Sequence, residues 1–440
     1  MRSHWMVRGL SALALWGGLA CATFAQQSRA GLGMRPTTQA SAASAVQAGE
    51  EMDSGVVPIG TTMENMGYSP NDLDGDSYAT SFGRGNYGIL KGMYFRGEYL
   101  LWSLKGMDTP PLVTTGSTTG ANSSVAGFVN ENGSLGVNTQ VLFGNEAIHG
   151  QGRNGGRLTF GFWLDQEQRL ALEGDYFALR DYNTQFNLAS TGTTLIARPY
   201  YDETLGGTPN TFDIAGPTVG NAAGSVSDQI TTRFQGAGAR ALYTMCCNNR
   251  QVSSLWDGCP IEQCTCVRLI GGYRFLRLDD GIVLQETHLV PNATRTGMDR
   301  FDSENQFHGA DFGTAVNFRR GRWTMDLLSK VAVGNTQSRV NIDGTARYND
   351  VLSTTRGSTL ATTSNIGTYE HQHFTMVPEL GMTVGYQIVP GLRATVGYSV
   401  LYWSSVYRAG DQIDLHVNPD LWPNSPSSTT AGQWPQYPGR

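Results

Sequence analysis

The run FTMVPELGMTVGYQIVPGLRATVGYSVLYW, residues 374–403, decides how the chain is read. From Phe374 to Ile388 the residues alternate, with Glu379, Gly381 and Thr383 on a polar face and apolar side chains on the other. From Leu392 to Tyr402 the pattern repeats, with Arg393, Thr395, Gly397 and Ser399 on the polar face. A period of two marks a half-buried strand, and Pro390-Gly391 between the two runs supplies a tight turn. The pair therefore reads as a long hairpin with one apolar face.

The same alternation recurs upstream. Met93, Phe95, Gly97, Tyr99 and Leu101 oppose Arg96 and Glu98, and Leu158, Phe160, Phe162 and Leu164 oppose Arg157, Thr159, Gly161 and Trp163. Leu170, Leu172 and Tyr176 oppose Glu173 and Asp175, and Val267, Leu269, Tyr273 and Phe275 oppose Arg268, Gly272 and Arg274. Further runs set Phe312, Val316 and Phe318 against Asp311, Gly313 and Asn317, and Trp323, Met325, Leu327, Val331 and Val333 against Asp326 and Lys330. Composition agrees with an all-β chain: 440 residues carry 55 Gly and only 15% charged side chains, against about 25% in ordinary domains. The net charge of −6 provides no basic field for a phosphate backbone, so no nucleic-acid partner is expected.

Alternation alone also fits a soluble β-sandwich binding carbohydrate through surface aromatics. Three features favour a membrane barrel. The runs reach 10–15 residues by our count, roughly what a tilted spanning strand needs. Tyr94, Trp102, Trp323, Phe374, Tyr402, Trp403 and Tyr407 lie near run ends, as interfacial girdles require. Short turns at 166–168, 280–281, 320–321 and 390–391 alternate with long polar stretches at 106–152, 246–264, 285–305 and 335–373. The expected fold is a single closed antiparallel transmembrane β-barrel of about twelve strands, with short periplasmic turns and long extracellular loops. The count includes a weakly marked strand between Asn183 and Tyr200 and a last one over Asp411–Asn418.

Arg2 and Arg8 flank an apolar core from Leu10 to Leu19, and Thr23-Phe24-Ala25 suits cleavage, so residues 1–25 read as a secretory signal. Cys21 is then discarded, since Gly18-Leu19-Ala20 puts Leu out of place for lipidation. Residues 26–88 read as a weakly ordered leader, 89–418 as the barrel and 419–440 as a polar tail. Asp72, Asp74 and Asp76 imitate the opening of a calcium loop, but Ser77 stands where Gly is needed and Gly83 where the closing Glu is needed.

Cys246, Cys247, Cys259, Cys264 and Cys266 crowd one short stretch. In an oxidising compartment disulfides stapling an outer loop are favoured over a zinc site of irregular spacing. His371 and His373 beside Glu370 read as a solvated pair in a loop, His308 shares the lipid-side parity of Phe312, and no Gly-x-Ser-x-Gly elbow is present. No catalytic residue, metal or cofactor is expected. By parity Arg96, Glu98, Glu173, Asp175, Arg268, Arg274, Asp311, Asp326, Lys330, Glu379 and Arg393 point into the lumen. That lining fits selectivity for small polar solutes or an interior zipped shut by ion pairs, and both readings stay open. Strand glycines such as Gly161, Gly236, Gly272 and Gly313 are expected inside, beside large neighbours, with Gly97 and Gly174 on the lipid side.

The ordered runs EYLLW (98–102), PPLVTTG (110–116), GGRLTFGFWLD (155–165), LEGDYF (172–177), GGYRFLRLDD (271–280), GRWTMDLLSKVAVGNT (321–336) and 377–418 resemble the family-seven beta-barrel porins of planctomycete envelopes. The resemblance implies an outer-membrane barrel with a porin-like role, in contact with outer-membrane lipid, and brings no ligand residue with it. The chain departs from the usual barrel ending, running through Trp422 and Trp434 to Arg440 with its nearest aromatic signal internal at Tyr402-Trp403. The alternative function is a closed structural or adhesive surface barrel.

Overall fold

The computed structural model describes residues 3–12, 93–116, 139–165, 167–253, 260–290, 293–389 and 392–423. In chain order its strands are β1 (Ser3–Ala12), β2 (Met93–Leu104), β3 (Met107–Asp108), β4 (Pro111–Gly116), β5 (Thr139–Gly144), β6 (Ala147–Ile148), β7 (Gly152–Trp163), β8 (Leu170–Leu179), β9 (Tyr182–Ser190), β10 (Ile196–Asp202), β11 (Thr208–Ala215), β12 (Ala223–Ser253), β13 (Pro260–Val290), β14 (Ala293–Arg320), β15 (Trp323–Tyr348), β16 (Val351–Leu352), β17 (Gly367–Val389), β18 (Leu392–Val406) and β19 (His416–Val417). No helix among the described residues is long and apolar enough to cross a membrane.

Most of these strands form one large curled antiparallel sheet. Pairing passes from β12 through β13, β14, β15, β17 and β18 to β1, then through β2, β7 and β8 back to β12. Ten strands make this circuit rather than the twelve expected. β9 continues the line of β8 along the upper part of β12, so the two act as one broken strand. The segment expected to be the signal's basic flank supplies β1, and the rest of the signal, the leader with Asp72, Asp74 and Asp76, and Trp434 lie outside the described residues.

Four wall strands are far longer than expected, at 31, 31, 28 and 26 residues for β12 to β15. Asp280-Gly281 is not a turn but lies inside β13, and 285–305 is no loop, since β13 and β14 run to Val290 and from Ala293. The 246–264 and 335–373 stretches are likewise strand over much of their length.

The cause is a change of polarity along each strand without a change of register. On β13 the outward side chains are Leu269 and Tyr273, then Arg277, Asp279 and Gln285, while the inward ones pass from Arg268 and Arg274 to Leu276, Leu278, Ile282 and Leu284. On β14 outward Phe312, Val316 and Phe318 give way to Arg300, Asp302, Glu304 and Gln306. The switch falls on one hydrogen-bonded row, because Arg277 faces Gln235 and Gln306, Gln306 faces Gln337, and Gln337 faces Gln372. Below this row the exterior is apolar, with Phe374 72%, Leu380 59% and Phe312 53% exposed. On β14 that band covers 308–318, which at the rise and tilt of a barrel strand is about 27 Å tall, close to the ~25 Å apolar band of membrane barrels.

Above the row the sheet encloses a second, smaller sheet in the order β11, β10, β4, β5, with β19 parallel to β10. Asp411–Asn418 is therefore not a wall strand. It forms a 3-10 turn and β19, because Ile413 and Val417 are buried in the mouth beside Ile196 and Tyr200. The β12–β13 hairpin carrying the cysteines lies at the opposite end, beyond Arg320, with the turns after Trp163 and Arg320. The cysteines thus share an end with the short turns, where the expectation set them apart from those turns.

Leu380 on the apolar band and Gln337 just above it make a direct test. In lipid vesicles, Leu380→Arg should lose about 2–4 kcal/mol of unfolding free energy while Gln337→Arg stays within about 0.5 kcal/mol of wild type, read by denaturant titration.

Candidate functional site

Inside the apolar band the inward faces meet around a cavity of about 140 Å³. Of the eleven side chains expected there, Arg96, Glu98, Glu173, Asp175, Arg268, Arg274, Asp311, Asp326, Lys330 and Glu379 border it. Arg393 is buried on β18 but does not border the cavity; its Cδ packs where a Cβ on Gly385 would lie. Arg157 and Arg240 complete the lining. Six cations (Arg96, Arg157, Arg240, Arg268, Arg274, Lys330) then meet six carboxylates (Glu98, Glu173, Asp175, Asp311, Asp326, Glu379), and the lining carries no net charge.

The charges are engaged with one another. Arg240 reaches Glu173 and Asp175 at 2.7 Å each, and Arg274 reaches Glu379 at 2.6 Å and Asp311 at 3.1 Å. Lys330 lies 3.4 Å from Asp311 and 3.3 Å from Glu379, and Glu98 lies between Arg96 at 3.3 Å and Arg157 at 3.4 Å. Tyr94 donates to Glu173 at 2.6 Å, and Arg268 lies over the Trp163 ring. Most of these pairs join neighbouring strands, as Arg240–Glu173 and Lys330–Glu379 do in direct register, while Arg274–Glu379 reaches from β13 to β17; removing one member leaves its partners buried without compensation. Glycines make room for it: a Cβ on Gly161 would strike the Tyr94 ring, one on Gly236 the Phe177 ring, and one on Gly313 Lys330, whereas one on Gly97 or Gly174 would make only ordinary contacts, no nearer than 3.8 Å.

A layer of buried apolar side chains lies between the cavity and the mouth. Leu100, Trp102, Phe177, Phe234, Leu276, Phe307, Val377, Leu401 and Trp403 are all buried in one cluster. Trp102 and Phe177 lie 5.2 Å apart between ring centres, Phe177 and Phe234 likewise, and the Trp403 indole donates to Thr336 at 3.0 Å. This layer corrects the aromatic girdle, since Trp102, Trp403 and Tyr407 are inside while Trp323 and Phe374 are outside. Parity carried the signal: Trp102 shares a face with Arg96 and Glu98, and Phe177 with Glu173 and Asp175. Arg240 was hidden because the outer face of β12 shows Ala237, Ala239 and Ala241 rather than large apolar residues.

Above the layer, Arg198 of β10 ties the mouth to the wall. Fully buried, it donates to Asp228 at 2.7 Å and Glu286 at 2.6 Å, and to the backbone oxygens of Leu112 and Gln285. Asp299 accepts the backbone N–H groups of Thr359, Leu360 and Ala361, pinning the 353–366 segment inside the mouth. Burial, reinforced by the Glu286 carboxylate, pushes Asp299 up to about 7. His371 stacks on Tyr407 and His373 meets the Ser405 carbonyl, so both lie on β17 against the C-terminal segment and not in a loop. His308 faces outward, 2.5 Å from the Tyr273 hydroxyl. At the other end, Cys247 stands opposite Cys266 in register, and the Cys264 and Cys266 sulfurs are 3.5 Å apart.

The family model described as "Putative beta barrel porin-7 (BBP7)" matches residues 94–439. The chain belongs to this beta-barrel porin family. No curated protein and no solved structure matches it. The family span covers the charged cavity, the apolar layer and the mouth together.

Two outcomes follow for this porin-family chain. Arg274→Ala leaves Glu379 and Asp311 with Lys330 alone and should cost about 3–5 kcal/mol in denaturant unfolding. A raised carboxyl pKa means the folded mouth holds a proton that the unfolded chain releases near pH 3.9, so Asp299's contribution is complete below about pH 4 and fades as pH rises through about 7. The melting temperature of Asp299→Asn should therefore gain on wild type between pH 5 and pH 8; a constant difference would contradict that assignment.

Proposed function

We propose that the protein is an outer-membrane β-barrel, exported through a cleaved signal, whose lumen is shut and whose role is structural at the cell surface. The apolar band spans the membrane, the short turns and cysteine hairpin face the periplasm, and the mouth sheet faces outward. The observation that carries the closed reading is the unbroken layer from Trp102 to Trp403 between the charged cavity and the mouth. A neutral lattice of ion pairs below it and a fully buried Arg198 above it add no path for water or ions. The soluble carbohydrate-binding sandwich has no support in a large sheet that curls back on itself with an apolar band outside. The cysteines at the periplasmic end are proposed to form disulfides, for which the Cys247–Cys266 register is suited.

Family membership favours the second reading, a porin-like channel for small polar solutes. In that case the aromatic layer and the mouth must move aside for each passage.

Planar-bilayer recording separates the two. Wild-type protein should show no stable conductance steps, while Phe307→Ala, checked for folding by circular dichroism, and Arg198→Ala, which loosens the mouth, should raise leak current. Steady channel openings by the wild type would contradict the closed reading and favour the porin.

A further inference from the structure

β1 fills a slot between two edges of the wall. Gly9 stands opposite Trp102 on β2 and Ser399 on β18, and Leu10 opposite Leu101 and Tyr398. Both neighbours are antiparallel to β1, so β2 and β18 run parallel to each other. β1 belongs to the segment read as removed on export, and removing it exposes two rows of backbone donors and acceptors within the apolar band. A bilayer offers them no partners, so the wall must close again.

The family span begins at residue 94 and ends at 439, so it contains almost all of β2 and the whole of β18 but not the strand between them. Trp422 donates to the Thr359 carbonyl and Tyr348 to the Pro423 carbonyl high on β15, so the chain reaches residue 423 away from this slot. The C-terminal tail also carries Pro426, Pro435 and Pro438, which lack the N–H that a strand paired on both sides needs.

We propose that in the exported protein β18 closes directly onto β2 as a parallel pair, giving a wall of nine strands. The register supports this closure. Trp102 comes beside Ser399 and Leu100 beside Gly397 on the inner face, while Leu101 meets Tyr398 and Ser103 meets Val400 outside. Every side chain keeps its present face, and the bulky Trp102 gains small neighbours. Odd counts depart from the even rule of bacterial single-chain barrels, but a nineteen-stranded mitochondrial barrel shows that such closure is physically sound.

The proposal rests on the export and membrane reading, and its test separates the two. Adjacent strands lie about 4.8 Å apart, strands with one between them about 9.6 Å, and a disulfide needs Cα atoms within about 7 Å. In outer membranes from cells making the full chain, oxidation of Leu101→Cys/Tyr398→Cys should yield the linked peptide by mass spectrometry. Leu380→Cys/Val400→Cys, paired across β17 and β18, is the control. The mature chain should also lack residues 3–12. A linked control without a linked seam pair, or a mature chain that retains residues 3–12, overturns the proposal. Release of the protein into the soluble fraction would overturn the membrane reading, and the seam with it.

Discussion

An uninterrupted antiparallel hydrogen-bond ladder is the constraint on which the rest depends. Strand backbones in an apolar medium must pair with neighbours on both sides, and once that pairing sets the register, each side chain is committed to one face for the length of its strand. β13 keeps its in-out parity from Gln263 to Thr287 while the surroundings on both faces change. The polarity of the residues adapts, and the ladder does not.

That separation explains how much could be read from the chain. The band below the Gln235–Arg277–Gln306–Gln337–Gln372 row was legible, because large apolar residues alternate there with charges. Above the row the apolar residues move to the inner face, so the hydrophobic stripe breaks at Leu276 although the strand does not, and Asp280-Gly281 imitates a turn. β12 is marked in the sequence only by its strand glycine Gly236, because Ala237, Ala239 and Ala241 are too small to announce a lipid-facing side. The arrangement of the mouth was not legible, although strands were expected near β10 and β19, since β4, β10, β11 and β19 are brought together from distant parts of the chain by contacts such as Arg198 with Asp228 and Glu286.

The interior follows the same logic. Within the band, charges are confined to the inner face and pair there, between neighbouring strands around Arg240 and Lys330 and from β13 to β17 through Arg274. Where the exterior becomes polar, the inner face becomes apolar, first as the layer of Trp102, Phe307 and Trp403 and then as the mouth core of Ile230, Ile282 and Phe301. The molecule is an inside-out protein joined along one row to an ordinary one. The glycines that made the composition unusual serve the lower half, where Gly161, Gly236 and Gly313 leave space for large inward neighbours.

The polarity row is the claim that all of this requires, and spin-label accessibility along the outer face of β14 tests it most directly. Labels placed singly at even positions from Arg300 to Phe318 in vesicle-embedded protein should favour a water-soluble nickel relaxant up to Gln306 and oxygen from Ala310 to Val316, with the crossover at His308. Uniform access of the nickel relaxant along the whole strand, or a crossover displaced to Arg300, would contradict the account.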